Sequence, residues 1–164
     1  MGLNINTLNL KKAQSRLSNS QKAYKRVLVS EMAKLANVAQ RMARAMAPME
    51  TGSLESAIFA RVVKTGYDSL HIEMKVDESR PRQSNGKVKV NPGTTVGDYA
   101  FYMEKHKYSL GAGSVLKQMT QGPVDTRRVN VGRRYMERAV EYIRKRFPEI
   151  VENSAKKAGF IRRR

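Results

Sequence analysis

Proton transfer and metal binding call for histidines, cysteines or grouped carboxylates, and this chain holds few of them. Its 164 residues include two histidines, fourteen acids and no cysteine. That removes thiolate nucleophiles, disulfides and every zinc site that relies on sulfur. His71 falls on the polar side of an alternating segment, where a solvated side chain is the expected role. Glu104-x-His106 could offer two ligands on one side of a strand, but no third ligand follows at a metal-site spacing. The remaining acids are dispersed, so no carboxylate cluster for a nuclease or another hydrolase can be nominated. No GxxxxGK[ST], no GxGxxG after a strand, no GxSxG and no HExxH occurs. The expectation is a protein without catalytic residues, cofactor or metal, and not an enzyme.

Cations are the abundant chemistry. There are 32 Lys and Arg against 14 acids, a formal net charge of +18. Residues 1–47 carry nine cations and one acid, residues 48–126 carry ten and nine, and residues 127–164 carry thirteen and four. The middle is nearly neutral, so the two ends are the electrostatic instrument. Lys22, Arg26, Lys34, Arg41 and Arg44 fall on one face of the first end, and Arg133, Arg134 and Arg144 on one face of the second. Such faces give phosphate affinity without sequence reading, or dock an acidic partner, or are solvated. The near absence of acids counts against solvation alone, since solvated faces mix both signs. No helix-turn-helix, zinc finger or basic zipper pattern is present, and aromatics are not interleaved with the cations, so any DNA contact should be nonspecific.

The elements that must position these groups follow from periodicity. Leu17, Tyr24, Leu28, Met32, Leu35, Ala39, Met42 and Met46 lie within about 40° of one meridian of a helix. Pro48 ends that helix, because the residue before a proline is steered away from helical dihedrals. Asn6, Thr7 and Ser18 all qualify as caps. A helix over about 18–47 would be roughly 40 Å long, more than a core of this size covers, so part of it should pack on another subunit. Met49–Ser53 is a turn with Gly52 at a position needing special dihedrals. Ala57–Lys64 is rich in β-formers, and Leu70, Ile72, Met74 and Val76 alternate with polar residues, predicting a hairpin with one wet face.

Residues 78–98 suit a long functional loop, tipped by a Lys87–Val90 ribbon. Tyr99–Glu104 returns to the core as a strand or short helix, and residues 105–132 are loop-like. A helix over about 131–147 has Tyr135, Met136, Ala139, Val140, Tyr142, Ile143 and Phe147 on one half of its circumference. Pro148 should open a separate short helix to about Lys157, and Gly159 should end it before a flexible tail, Phe160–Arg164. The fold class is therefore α+β: a long N-terminal helix and a C-terminal helix packed on a small antiparallel sheet (about 56–104), with long loops. Residues 1–147 form one domain and residues 148–164 a short helix and basic tail. No run approaches the roughly 20 apolar residues of a spanning helix, and Met1–Asn6 lacks the charged and apolar regions of a signal peptide, so a cytoplasmic chain is expected.

The order of four short motifs resembles the small neck, or tail-completion, proteins of tailed bacteriophages. They are Ala47-Pro48-Met49-Glu50-Thr51-Gly52-Ser53-Leu54 closing a long helix, a β-hairpin, Tyr99-Ala100-Phe101-Tyr102-Met103-Glu104, and Val131-Gly132-Arg133-Arg134-Tyr135-Met136-Glu137-Arg138-Ala139. The similarity spans about residues 25–145. Where that family often carries E-x-G-T, Glu104 is followed here by Lys105-His106-Lys107. The resemblance implies a virion protein, assembled in the host cytoplasm, that forms a homo-oligomeric ring between the portal or adaptor of the head and the tail-tube or tail-terminator proteins. DNA passes through such a ring. It further implies that Thr51, Gly52 and Leu54 form the helix-to-strand turn, while Tyr99, Glu104, Gly132, Tyr135 and Ala139 anchor sheet and helix. The competing reading is a cytoplasmic nonspecific nucleic-acid-binding protein.

Overall fold

The computed structural model describes residues 7–49, 51–65, 69–81 and 93–160, with side chains from Ser15 onward in the first helix. Helix α1 (Thr7–Met46) is followed by the single turn α2 (Ser53–Ala57), strands β1 (Ile58–Lys64) and β2 (Leu70–Val76), and helices α3 (Val96–Lys105), α4 (Ala112–Thr120) and α5 (Tyr135–Lys157). The fold is α+β, with the two long helices on one face of a two-stranded antiparallel sheet. The Lys87–Val90 ribbon and Arg162–Arg164 lie outside the described residues.

Helix α1 begins well before residue 18, because residues 7–17 contain neither glycine nor proline and Ser18 stands exposed inside the helix. Forty residues make it about 60 Å long. Its buried stripe, Met32, Leu35, Ala36, Ala39, Met42, Ala43 and Met46, starts only in its second half. Helix α5 lies antiparallel along that half. Tyr135 and Ala139 pack beside Met42 and Met46, Ile143 beside Leu35 and Ala39, and Lys157 reaches Glu31 at 2.8 Å.

The hairpin pairs Ile58 with Val76 through to Lys64 with Leu70. Strand alternation puts Ile72, Met74 and Val76 against the helices, while Arg61 and Glu73 pair at 2.9 Å on the wet side. Two strands alone are marginal in water, and β1 would expose an edge. Gln40 and Arg44, one turn apart on α1, cover it. The Gln40 Oε1 accepts from the Ala60 N–H at 3.0 Å, and the Arg44 guanidinium donates to the Ile58 carbonyl at 2.8 and 3.0 Å.

Several expected elements take a different form. Among the described residues hydrogen-bonded strands occupy 58–64 and 70–76, and Tyr99–Glu104 belongs to α3, so the sheet does not extend to 104. Val96, Ala100 and Met103 recur at helical spacing and are buried, and Thr95 with Asp98 builds a capping box. The stretch 105–132 contains α4. Pro148 does not start a new helix: α5 runs through it. Proline there removes only the N–H that would have met the Arg144 carbonyl, on a side where Arg144, Phe147 and Pro148 are all exposed and water can serve instead. Residues 148–157 are thus part of α5. Gly159 ends it with φ of 81°, but Phe160 is not loose, since its ring meets Tyr24 edge-on at 5.7 Å.

Candidate functional site

The end of α1 is the junction on which the rest of the chain is hung. Gly52 has φ of 80°, a left-handed conformation that lets α2 start immediately after the Pro48 turn. Thr51 and Ser53 share a hydroxyl hydrogen bond at 2.8 Å. Leu54, Tyr135 and Ala139 are fully buried in one cluster with Met42 and Met46, and Tyr99 packs on its border. Gly132 donates its N–H to the Met46 carbonyl at 2.9 Å. Glu104 crosses from α3 to cap α5. Its carboxylate accepts from the Met136 and Glu137 amides at 3.3 and 3.2 Å, where the helix leaves N–H groups without partners. The eight residues of the four-motif pattern therefore surround one junction. Glu104 and His106 do not converge on a common ligand: His106 instead stacks on the Tyr102 ring at 4.6 Å.

Three residues of α4 complete the junction and were not legible in advance. The Arg44 carbonyl should accept from residue 48, but Pro48 has no N–H. Lys117 fills the gap. Its Nζ donates to the Arg44 carbonyl at 2.6 Å, the Ala47 carbonyl at 2.7 Å and Glu55 at 2.7 Å. Desolvation pulls the Lys117 pKa below its ordinary value, against the raising influence of Glu55. Ser114 binds both the N–H and the carbonyl of Met49, at 2.9 and 3.2 Å. A Cβ on Gly113 would sit 2.7 Å from the Met49 carbonyl oxygen, so α4 approaches this turn as closely as a backbone can. The proline-orphaned carbonyl was a signal that a donor was needed, though not which one.

Helix α4 is consequently turned inside out. Ser114 and Lys117 face the protein, while Leu116 and Met119 are 63% and 80% exposed and Val115 stands beside them. Phe101 and Tyr102 of α3 are exposed as well. Between α3 and the start of α4 lies a cleft of about 410 Å³ lined by Tyr99, Tyr102, Met103 and Tyr108. Burial pushes the Tyr108 hydroxyl up to about 12, with Glu104 adding to the rise and Arg138 opposing it. A second, largely apolar groove of about 450 Å³ lies between α1, β2 and α5 and includes Met32, Leu70, Ile143 and Phe147.

The eight cations singled out by helical position divide into two groups. Arg44 is turned inward onto β1, Lys34 pairs with Glu31 at 3.0 Å, and Arg134 is held bidentately by Glu137. Lys22, Arg26, Arg41, Arg133 and Arg144 remain exposed with no ion pair among the described residues. Glu31 serves two cations. Hydrogen bonds from Lys157 and then Lys34 hold its carboxyl below the usual value. Asp125 similarly gathers Tyr142 and Arg146, and Arg127 lies over the Tyr142 ring at 5.1 Å, fixing the 124–127 turn to α5.

Among the described residues no group of three His, Asp or Glu side chains is placed to hold a metal, and no helix is long and apolar enough to cross a membrane. No protein-family model, curated protein or solved structure matches the chain.

Proposed function

We propose that the chain is a structural protein of a tailed-phage virion: a neck ring subunit, assembled in the host cytoplasm, that joins the portal or adaptor to the tail-tube or tail-terminator proteins around the DNA path. The four motifs in order support the family reading. The observation that carries assembly is the inverted α4. Polar contacts clamp its inner face to the α1 junction, so Val115, Leu116 and Met119 are presented to solvent on a rigidly held helix, an arrangement suited to burial against a neighbour.

Sedimentation of the purified chain, alone and mixed with portal complex, tests this. The expected result is a ring or a stable complex with the portal, lost in a Leu116→Glu, Met119→Glu variant whose circular dichroism is unchanged. A wild-type chain that stays monomeric and joins neither itself nor the portal would overturn the reading.

A further inference from the structure

Upstream of the Tyr24–Phe160 contact, the described side chains of α1 stand mostly in solvent. Residues 15–23 are exposed except for Ser20, which is half-buried. Thr7 to Ala23 therefore project about 25 Å past the end of α5. Residues 15–30 carry Arg16, Lys22, Lys25 and Arg26 and no acid. The first acid of the chain, Glu31, is already held by Lys34 and Lys157. Several other cations of the chain meet carboxylates: Arg61 and Lys75 at Glu73, Arg80 at Asp77, Lys156 at Glu152. The projecting stretch thus carries exposed cations, Arg16, Lys22 and Arg26, with no acid of its own.

We propose that this arm, α1 residues 15–30, docks duplex DNA along its phosphate backbone through Arg16, Lys22 and Arg26. These three lie on the side of the helix away from Leu17, Tyr24 and Leu28. Arg16 and Arg26 are about 15 Å apart along the axis, a length beside which a duplex presents about nine phosphate charges. A lone helix of about 10–12 Å diameter also fits a major groove about 12 Å wide, an approach closed to a helix packed on both sides. A membrane surface fits less well, because the polar Ser20 and Gln21 fall on the apolar side between Leu17 and Tyr24. The contact reads no bases, since it consists of cations against phosphates.

This inference deepens the neck reading, in which a duplex threads the assembly, but it is tested on the free full-length chain. The assay is fluorescence anisotropy with a 30-base-pair duplex of arbitrary sequence, over about 50 to 200 mM salt. A Lys22→Gln, Arg26→Gln variant should flatten the slope of log affinity against log salt by about 1.8, at about 0.9 per lost phosphate contact. A Lys64→Gln, Lys105→Gln variant removes the same charge elsewhere and should leave the slope unchanged.

Equal loss in both variants, or none in either, would overturn the proposal. So would displacement of the duplex by poly-glutamate as efficiently as by unlabelled duplex, or preferential binding to phosphatidylserine vesicles. Light scattering on the same samples separates the two readings. A chain that rings without the arm-dependent slope refutes the arm alone, and one that shows the slope yet never assembles with itself or the portal refutes the neck role alone.

Discussion

Replacing Lys117 with methionine keeps the aliphatic stem and removes only the cation. Swapping a buried ion pair for apolar groups is often neutral, because the desolvation of two charges is relieved. Two details decide against neutrality here. Among the described residues the Arg44 carbonyl has no backbone donor, since Pro48 lacks an N–H, and the Ala47 carbonyl loses its bond at the same time. Glu55 is the lesser loss, because 28% of its side chain is exposed and water can take over. Two hydrogen bonds to a charged group, at the low end of roughly 1.5–3 kcal/mol each, come to about 3 kcal/mol before the weakened ion pair is counted. For a chain of this size that lowers the melting temperature by about 6–12 °C.

Urea and thermal unfolding followed by circular dichroism measure it, with Glu55→Gln as the partner variant, expected to cost about 1 kcal/mol because both carbonyls keep their donor. A Lys117→Met variant within about 0.5 kcal/mol of wild type, or a Glu55→Gln variant equally damaging, would refute the assignment of Lys117 as the cap of α1. Release of α4 should also weaken assembly, since the apolar row it presents would lose its fixed position.

Three further outcomes are expected, two at this junction and one at Glu31 on α1. Glu104→Ala should destabilise by about 1–2 kcal/mol in urea unfolding, and Glu104→Gln by less, because an amide oxygen still accepts from the α5 amides. Gly113→Ala forces a Cβ against the Met49 carbonyl and should cost about 1–3 kcal/mol, whereas Gly111→Ala meets nothing within 4 Å and should be nearly neutral in the same assay. Glu31 has a folded pKa below its ordinary 4.5, so the stability it contributes is present above that value and lost as pH falls through the folded pKa. Melting temperature should therefore fall as pH is lowered below about 4.5, and less steeply in Glu31→Gln.

Periodicity exposed the elements whose apolar residues face inward: the Met32–Met46 stripe, the alternating β2, and Tyr135, Ala139 and Ile143 on α5. It failed where burial and polarity are inverted. Helix α4 hides Ser114 and Lys117 and shows Leu116 and Met119, so a search for an inward apolar stripe finds none, and Gly111 and Gly113 suggest loop. Tyr99–Glu104 fits a strand as well as a helix when taken alone; Thr95 and Asp98 at capping-box spacing settle it as α3. Pro148 looks like a boundary until the exposed side on which it falls is known. For the candidate surfaces, helical position identified cationic faces, but not that Arg44 turns inward or that Glu137 and Glu31 neutralise Arg134 and Lys34. Those pairings depend on which rotamers and neighbours the tertiary structure brings within reach.

The proposed role is that of a ring-forming joint between head and tail. Electron microscopy of the purified chain incubated with portal complex, sorted into two-dimensional class averages, tests it most directly. An added ring with an open centre is expected, coaxial with the portal and missing when Leu116 and Met119 are both changed to glutamate. Bare portal particles beside free monomers would contradict it.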